Sequence, residues 1–566
     1  MLAAPHLKNE QTVSAPSPAI QPSWRFGELS AAELLPQLQR HLCAQNPKAN
    51  WQLVWLNNDG RPVIGLLPKV SWSVFYPTNH NDTLNVDKKA PIYKVIKNDR
   101  DSAYGNDKTN QTVTTTCMSY NDWQQVLIAY SQDYDADDAY DNNSLSTIEV
   151  DPQPSYHHGL IGFIGYDIAA HELSPAAQIE LATQPCASLG HYDIYLTPNA
   201  EQTNWQLNIK TRLTDTDDAY KNVLIKALIE YLEVLDSKLS NETLENPALE
   251  TLYQTTPLSL KAQWSKRDYQ QAFQQTQNYL QQGDCYQINL TQEWKGTFNN
   301  LSDKDSSQKL IDYLPALHRN TQAPFAGYVA VHDVSSAITA NTPNSQFELL
   351  SCSPELFFTF TKDDNAGSHH IRTKPIKGTM PRGFTAEQDN AYKQKLIASE
   401  KDRAENVMIV DLLRNDLGKY AKIGSVKVPK LFAIESFSNV HHMVSTITAE
   451  LKTDTHPLAV LFGSLPAGSI TGTPKKRAVE IISELEGVPR GAYCGTLGYM
   501  NFDGSGQWNV LIRTLQAKHK LGKTGRVSLW AGGGITIASD HDAEYQECLD
   551  KVGNLLGVLT QDNIDK

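Results

Sequence analysis

Acidic residues recur at helical spacing in two places along the chain. In EKDRAENVMIVDLLRND (400–416), Asp402 and Glu405 stand three residues apart. In SDHDAEYQECLDKVGNLLGVL (539–559), Glu544 and Glu547 do the same, with Lys551 one turn beyond. A helix puts residues i and i+3 on one face, and Ser539, Asp540 or Asp542 could cap the second helix. Two such faces turned toward each other would suit Mg²⁺, which takes a few carboxylates together with waters and substrate oxygens. Read alone, each pair is more simply a solvated acidic face with an ordinary Glu547–Lys551 contact.

Other segments carry groups that could bind or attack an anionic substrate. RVSLWAGGGITIAS (526–539) reads as a strand, then Gly532-Gly533-Gly534, then a helix start. Bare glycine backbone lets N–H groups approach an anion, although a tight turn or close strand packing would use the same residues. QWNVLIRTLQA (507–517) alternates like a strand and puts Arg513 on the face of Leu511 and Leu515. A half-buried guanidinium there wants a carboxylate, from substrate or from protein. TKPIKGTMPRG (373–383) holds Lys377 in a Pro/Gly-constrained segment. Burial or a neighbouring cation would free its amine as a nucleophile; otherwise it is a loop lysine at the surface. In LLSCSPELFFTF (349–360), Glu355 sits at a Ser-Pro turn between apolar runs. A desolvated glutamate there would keep its proton and serve as a general acid; an exposed turn glutamate would not. VHHMVSTI (440–447) sets His441 beside His442. Neighbouring strand residues point to opposite faces, so the two would not share a metal.

The elements that must position these groups alternate between helix and strand signals over 256–560, which indicates a mixed α/β architecture. The preceding region, 23–255, contains strand-like pieces such as Trp51–Leu56, a Gly-rich buried segment GLIGFIGYD (159–167), and helical apolar spacing over 219–239. Its stretch 79–154, crowded with Asp, Asn and Tyr, reads as loops and insertions. Residues 1–22 are rich in Pro, Ser, Ala and Gln and read as a disordered tail.

The 566 residues carry a net charge of −13, which disfavours a polyphosphate partner such as nucleic acid. No apolar run is long enough to span a bilayer, and the first residues lack a basic segment followed by an apolar core, so neither membrane nor export is expected. Seven scattered cysteines without a C-x-x-C pair suit the reducing cytoplasm. PAGSITGTPKKRA (466–478) lacks the spacing of a phosphate-binding P-loop, and no dinucleotide fingerprint is present.

In their order along the chain, GDCYQINLTQ, SCSPELFF, PIKGT, EKDRAENVMIVDLLRNDLGK, VHHMVSTI, PAGSITGTPKKRA, CGTLGYM, IRTL, AGGGI and AEYQECLDKV resemble the chorismate-utilising enzyme family. The resemblance is strong over about 264–560 and looser over 23–250. Gln287 stands where water-adding members carry a lysine base, and PIKGT stands where anthranilate synthases read PIAGT. The chain thus looks like the branch that aminates chorismate at C4. The resemblance implies an α+β fold of two packed antiparallel β-sheets wrapped by helices.

It also implies roles for single residues. Glu405 and Glu547 match Mg²⁺ ligands, with Asp402 and Glu544 as neighbouring acids. Arg513, Tyr499 and Gly532, Gly533 and Gly534 match the groups that hold the substrate carboxylates. Gly378 and Thr379 match substrate-contacting positions, His442 an active-site histidine and Lys551 a lysine of the last helix. Glu355 matches the general acid and Lys377 the nucleophile. The implied reaction joins chorismate and ammonia into 4-amino-4-deoxychorismate, on the route to 4-aminobenzoate and folate. No cysteine sits in a G-x-C-x-G elbow, so ammonia is expected from a separate glutamine amidotransferase subunit or from solution. Some relatives bury a tryptophan against a segment like Pro324-Phe325-Ala326, which makes tryptophan a candidate second ligand. Anthranilate synthesis and a catalytically silent chorismate-binding subunit are the alternative readings.

Overall fold

The computed structural model describes residues 22–47, 51–76, 91–100, 112–138, 153–175, 179–210, 219–245, 255–298, 308–332, 345–363, 367–437, 440–520 and 523–561. The tail 1–22 lies almost wholly outside them. Period-two alternation explains the architecture. In the strand Gly327–His332, Val329 and Val331 face one side and Tyr328 and Ala330 the other, all four buried. Gly159–Ile164 does the same with Ile161 and Phe163 against Leu160 and Ile164. A strand apolar on both faces must be covered on both. Among the described residues, two antiparallel sheets of 12 strands each meet this need. Their inner faces share one core, in which Val329, Val331, Phe347 and Leu349 of one sheet meet Ile161, Phe163 and Leu497 of the other.

Helices cover the outer faces. Ala31–Gln45, Ala219–Glu245 and His541–Thr560 pack on the first sheet through residues such as Leu35, Leu228 and Leu555. Tyr120–Asp138 and Glu400–Gly418 pack on the second through Trp123, Leu127, Ile409 and Leu413. The helix expected near 219–239 is thus present, with Leu224, Leu228, Leu232 and Leu235 buried. Fold and wrapping are as expected from the resemblance.

Both halves of the sequence contribute to both sheets. Val54–Leu56 pairs with Gly327–His332, and Gly159–Ile164 pairs with Thr496–Asn501. The stretch 79–154 is less loop-like than its composition suggests. Strands Tyr93–Asp99 and Thr112–Met118 form the edge of the second sheet, and helix Tyr120–Asp138 follows. Tyr93, Val95 and Ile96 are buried, a short signal that the surrounding Asp and Asn residues conceal.

One ribbon crosses from sheet to sheet. Ser345–Ser351 pairs with Thr514–Lys520 in the first sheet, and their continuations Leu356–Asp363 and Gly506–Asn509 pair in the second. The bends at 352–355 and 510–513 stay stitched together. Cys352 N–H donates to the Arg513 carbonyl at 2.9 Å, and Val510 N–H to the Glu355 carbonyl at 3.1 Å. Ser353 Oγ donates to the Val510 carbonyl at 2.6 Å and accepts from Glu355 N–H at 3.2 Å. Arg513 takes φ +51°, the left-handed region that lets the chain turn this corner.

Ser353 is fully buried, so Ser353→Ala takes one of two donors from the Val510 carbonyl, which keeps Ile512 N–H at 2.8 Å, and strands the Glu355 N–H. Urea unfolding should show a loss of about 1–3 kcal/mol, with activity falling further than stability because Glu355 loses its anchor.

Candidate active site

The bend opens onto a cleft of about 480 Å³. Glu355 and Arg513 reach it from the two corners of the ribbon. Lys377, Gly378 and Thr379 come from the strand Ile376–Pro381, and His442 from the paired strand Val440–Glu450, where it lies opposite Thr379. Asp402 and Glu405 come from Glu400–Gly418, and Glu544, Glu547 and Lys551 from His541–Thr560. The two acid-bearing helices do face one space. Each starts on a side-chain cap: Ser399 Oγ accepts from Asp402 N–H at 3.3 Å, and Asp540 accepts from Asp542 and Ala543 N–H.

Gly378 has φ +84°, and a Cβ there would come within 2.8 Å of Asp402 Cγ. The missing side chain therefore lets helix Glu400–Gly418 lie close on the strand Ile376–Pro381. The triple glycine corrects an expectation. Gly532–Gly534 is not a turn, and no helix starts directly after it; of the alternatives, close strand packing holds, for the triplet runs inside the long strand Lys523–Thr536, opposite Thr291, Leu290 and Asn289. A Cβ on Gly533 would sit 3.0 Å from Glu544 Oε2, and one on Gly534 would sit 3.4 Å from Lys377 Nζ. The glycines thus clear floor space in the cleft, and Lys551 Nζ fixes the strand by donating to the Gly532 carbonyl at 2.9 Å.

Arg513 also differs from expectation: it sits at a bend between two strands, not on the face of one. None of the ion pairs among the described residues involves it. Burial lowers the pKa of its guanidinium, which marks a cation short of counter-charge. Tyr499 does not reach the cleft. Strand alternation turns it into the core between the sheets, where its hydroxyl donates to the Pro154 carbonyl at 2.6 Å. Tyr493, which the motif reading passed over, lines the cleft instead and stacks on Trp530. Asn289 and Ser469 are further lining residues that the motifs did not single out.

Burial organises the protons. Glu355 is pushed up to about 7 by burial, against the pull of Lys377, Ser469 and Lys551. His442 is pushed down to about 4 by burial, with Arg513 and His441 pressing the same way. It is therefore a neutral imidazole whose Nδ1 pairs with Thr379 Oγ1 at 2.8 Å. His441 faces away, between Asp389 and Ser436, each at 2.8 Å. Lys377 Nζ lies 3.9 Å from Glu405 Oε2.

The acids fit a divalent ion. Glu405 Oε1 is buried without a hydrogen-bond partner. Burial raises the Glu405 carboxyl, opposed by Lys377 and Lys401 and reinforced by Glu544 and Glu547. Lysines neutralise two of these acids: Lys401 Nζ pairs with Glu544 at 2.7 Å and Lys551 Nζ with Glu547 at 2.7 Å. Among the described residues, the only trio of ligand atoms within 4.8 Å of one another is Asp540, His541 and Asp542, with both aspartates exposed and His541 half-buried. Two carboxylates with room for waters and substrate oxygens is a set that Mg²⁺ accepts.

Gln287 is buried beside Gly534, and neither its amide oxygen nor its amide nitrogen has a partner. Pro324 and Phe325 line a separate cavity of about 100 Å³ behind Pro354 and Ile376, with Ala326 buried next to them. All seven cysteines are free thiols, and no described helix is long and apolar enough to cross a membrane.

A two-sheet fold closed around a cleft of this make-up defines a recognisable class. Residues 103–557 match the family model of the chorismate binding enzymes, and the chain belongs to that family. Within it, aminodeoxychorismate synthase component 1 of Salmonella typhimurium is 37% identical over 412 residues, 73% of this chain and 79% of that protein. The protein of the same name from Klebsiella aerogenes is 38% identical over 426 residues, covering 74% and 82%. The crystal structure of anthranilate synthase component I from Streptococcus pneumoniae shares the fold, with TM-score 0.56, 21% identity, and coverage of 86% of this chain and 92% of that one.

A carboxyl whose folded pKa exceeds its unfolded value favours the folded state at low pH, and that contribution is lost as pH rises through the folded value. For Glu355 the window runs from about 4.5 to beyond 7. Unfolding free energies from urea titrations across it should fall for the wild type relative to Glu355→Gln, by a few kcal/mol at most. Parallel pH profiles for the two proteins would refute the protonated, buried state of Glu355.

Proposed function

We infer that the chain is the chorismate-aminating component of an aminodeoxychorismate synthase, converting chorismate and ammonia to 4-amino-4-deoxychorismate and water. What carries this reading is the meeting, in one cleft, of a buried carboxyl at about 7, a lysine, and an arginine without a carboxylate partner. That set matches an anionic substrate that must lose a hydroxyl. The names and coverage of the relatives support the same branch.

In this reading Arg513 and the glycine floor hold the substrate carboxylates. The Lys377 amine attacks C2 of chorismate, both ring double bonds shift, and the C4 hydroxyl departs as water with the proton of Glu355. Ammonia then adds at C4 and expels the lysine, so the pyruvyl ether is retained. Thr379 keeps the neutral His442 ring oriented beside the substrate. Glu405 and Glu547, with Asp402 and Glu544 beside them, would hold Mg²⁺, which supplies positive charge against the ring carboxylate. Its arrival would also relieve the mutual repulsion of these acids. Ammonia reaches this component from a glutamine amidotransferase partner, as the component 1 name of the relatives suggests, or from solution.

The purified chain with chorismate, Mg²⁺ and ammonium should form aminodeoxychorismate. Glutamine should not replace ammonium without a partner, and chelation should stop turnover until Mg²⁺ is restored. Anthranilate and free pyruvate as products would replace this reading by that of an anthranilate synthase; binding without turnover would make the chain a silent subunit. Lys377→Met should leave chorismate binding in place and cut amination by at least about a hundredfold, the scale of a lost covalent catalyst. Without ammonia, mass spectrometry should find chorismate minus water on the Lys377 peptide. Absence of that adduct, combined with full activity of Lys377→Met, would rule out the covalent route.

A further inference from the structure

A second cavity, of about 190 Å³, lies behind the wall of the catalytic cleft. Tyr166, Asp167, Glu180, Ser483, Glu486 and Arg490 line it. Arg490 is the shared wall. It lines this cavity, while its guanidinium donates to the carbonyls of Asn289 at 2.7 Å and Ile470 at 3.2 Å, two residues that line the cleft. Glu486 holds it there through contacts of 2.6 and 2.8 Å. Asn289 leads two residues along the same strand to Gln287, whose unpartnered amide adjoins Gly534 beside Lys377.

The cavity is short of positive charge. Asp167, Glu180 and Glu486 face one arginine, and that arginine is already paired with Glu486. Asp167 accepts from the backbone N–H groups of Gly491, Arg490 and Ala182, which leaves about one of a carboxylate's four acceptor sites open. Burial still pushes its carboxyl up to about 7, despite these bonds and Arg490. The Tyr166 hydroxyl is buried with no partner, under a ring that Arg490 covers at 4.7 Å. Burying a hydroxyl unpaired costs free energy, and a small cation with several N–H donors would satisfy both groups. Glu180 is exposed and adds negative charge at the entrance.

We propose that this cavity is an ammonium port, which collects the nitrogen substrate behind the chorismate site and passes ammonia to the cleft beside the Arg490–Glu486 pair. The proposal rests on the amination reading above. An ammonium ion binds against Tyr166 and Asp167, leaves one proton on the Asp167 carboxylate, and crosses as neutral ammonia toward Gln287 and C4. The arrangement gives ammonia a route of its own: the cleft opens where Glu547 and Lys551 are partly exposed, whereas Asn289 and Glu355 at its rear, on the side of this cavity, are buried.

The test is steady-state kinetics with varied ammonium chloride at saturating chorismate and Mg²⁺. Ser483→Phe plugs the cavity, and Glu180→Lys reverses the charge at its entrance without touching the interior. Both should raise the KM for ammonium at least fivefold. Both should leave the KM for chorismate, and the yield of lysine adduct formed without ammonia, at wild-type values. If Ser483→Phe fails to fold, Glu180→Lys decides alone. Unchanged ammonium KM in folded, adduct-forming variants overturns the port and leaves the amination reading standing. Failure of the wild-type chain to aminate chorismate with ammonium overturns the amination reading, and the port with it.

Discussion

The site depends on a ribbon that must turn a corner without coming apart. Two strands leave one sheet side by side and enter the other side by side, and the residues between them cannot all keep strand geometry. The backbone bonds between Cys352 and Arg513 and between Val510 and Glu355 hold the pair in register through the bend. A bend of this kind frees side chains from the pleat and points them off the end of the sheets. The acid and the guanidinium of the cleft are both borne there. Their separation is therefore set by main-chain hydrogen bonds rather than by flexible side-chain contacts.

The cleft so framed is electrostatically incomplete. Glu355 and Glu405 are raised by burial, Arg513 is lowered by it, and His442 is held neutral. Each shift says that the charged form lacks a partner. Lys401 and Lys551 compensate some of the acids, but Glu405 keeps an oxygen without a hydrogen-bond partner. A dianionic substrate and a divalent cation would balance these groups together, and either alone would leave charge exposed in a poorly solvated space. Binding should accordingly be cooperative between the two.

Much of this was legible in the residues. Spacing alone put Asp402 with Glu405 and Glu544 with Glu547 on single faces, and alternation alone split His441 from His442. The order of the motifs carried the fold. What failed did so for definable reasons. Arg513 lies in an alternating run whose pattern does not reveal that residues 510–513 bend between sheets. The glycine triplet suits a turn or a closely packed strand equally, because composition cannot show that a strand has been stripped of side chains for a neighbour's sake. Tyr499 and Tyr493 are equivalent to the eye, and only the direction of the pleat separates core from cleft. The strands within 79–154 are short and edge-lying, so their apolar signal is diluted by polar neighbours.

Interleaving has an evolutionary side. Val54–Leu56 sits between Val63–Gly65 and Gly327–His332, and Gly159–Ile164 sits between Ala187–His191 and Thr496–Asn501. Cutting the sequence in two would therefore not yield two proteins. Each fragment would carry raw sheet edges whose natural complement is the other fragment. Neither half can be borrowed by another fold or exchanged as a cassette, although the last 300 residues hold nearly every reactive group. A lineage built on this plan can diversify by editing the cleft or lengthening an outer edge, but the halves are bound to be inherited together.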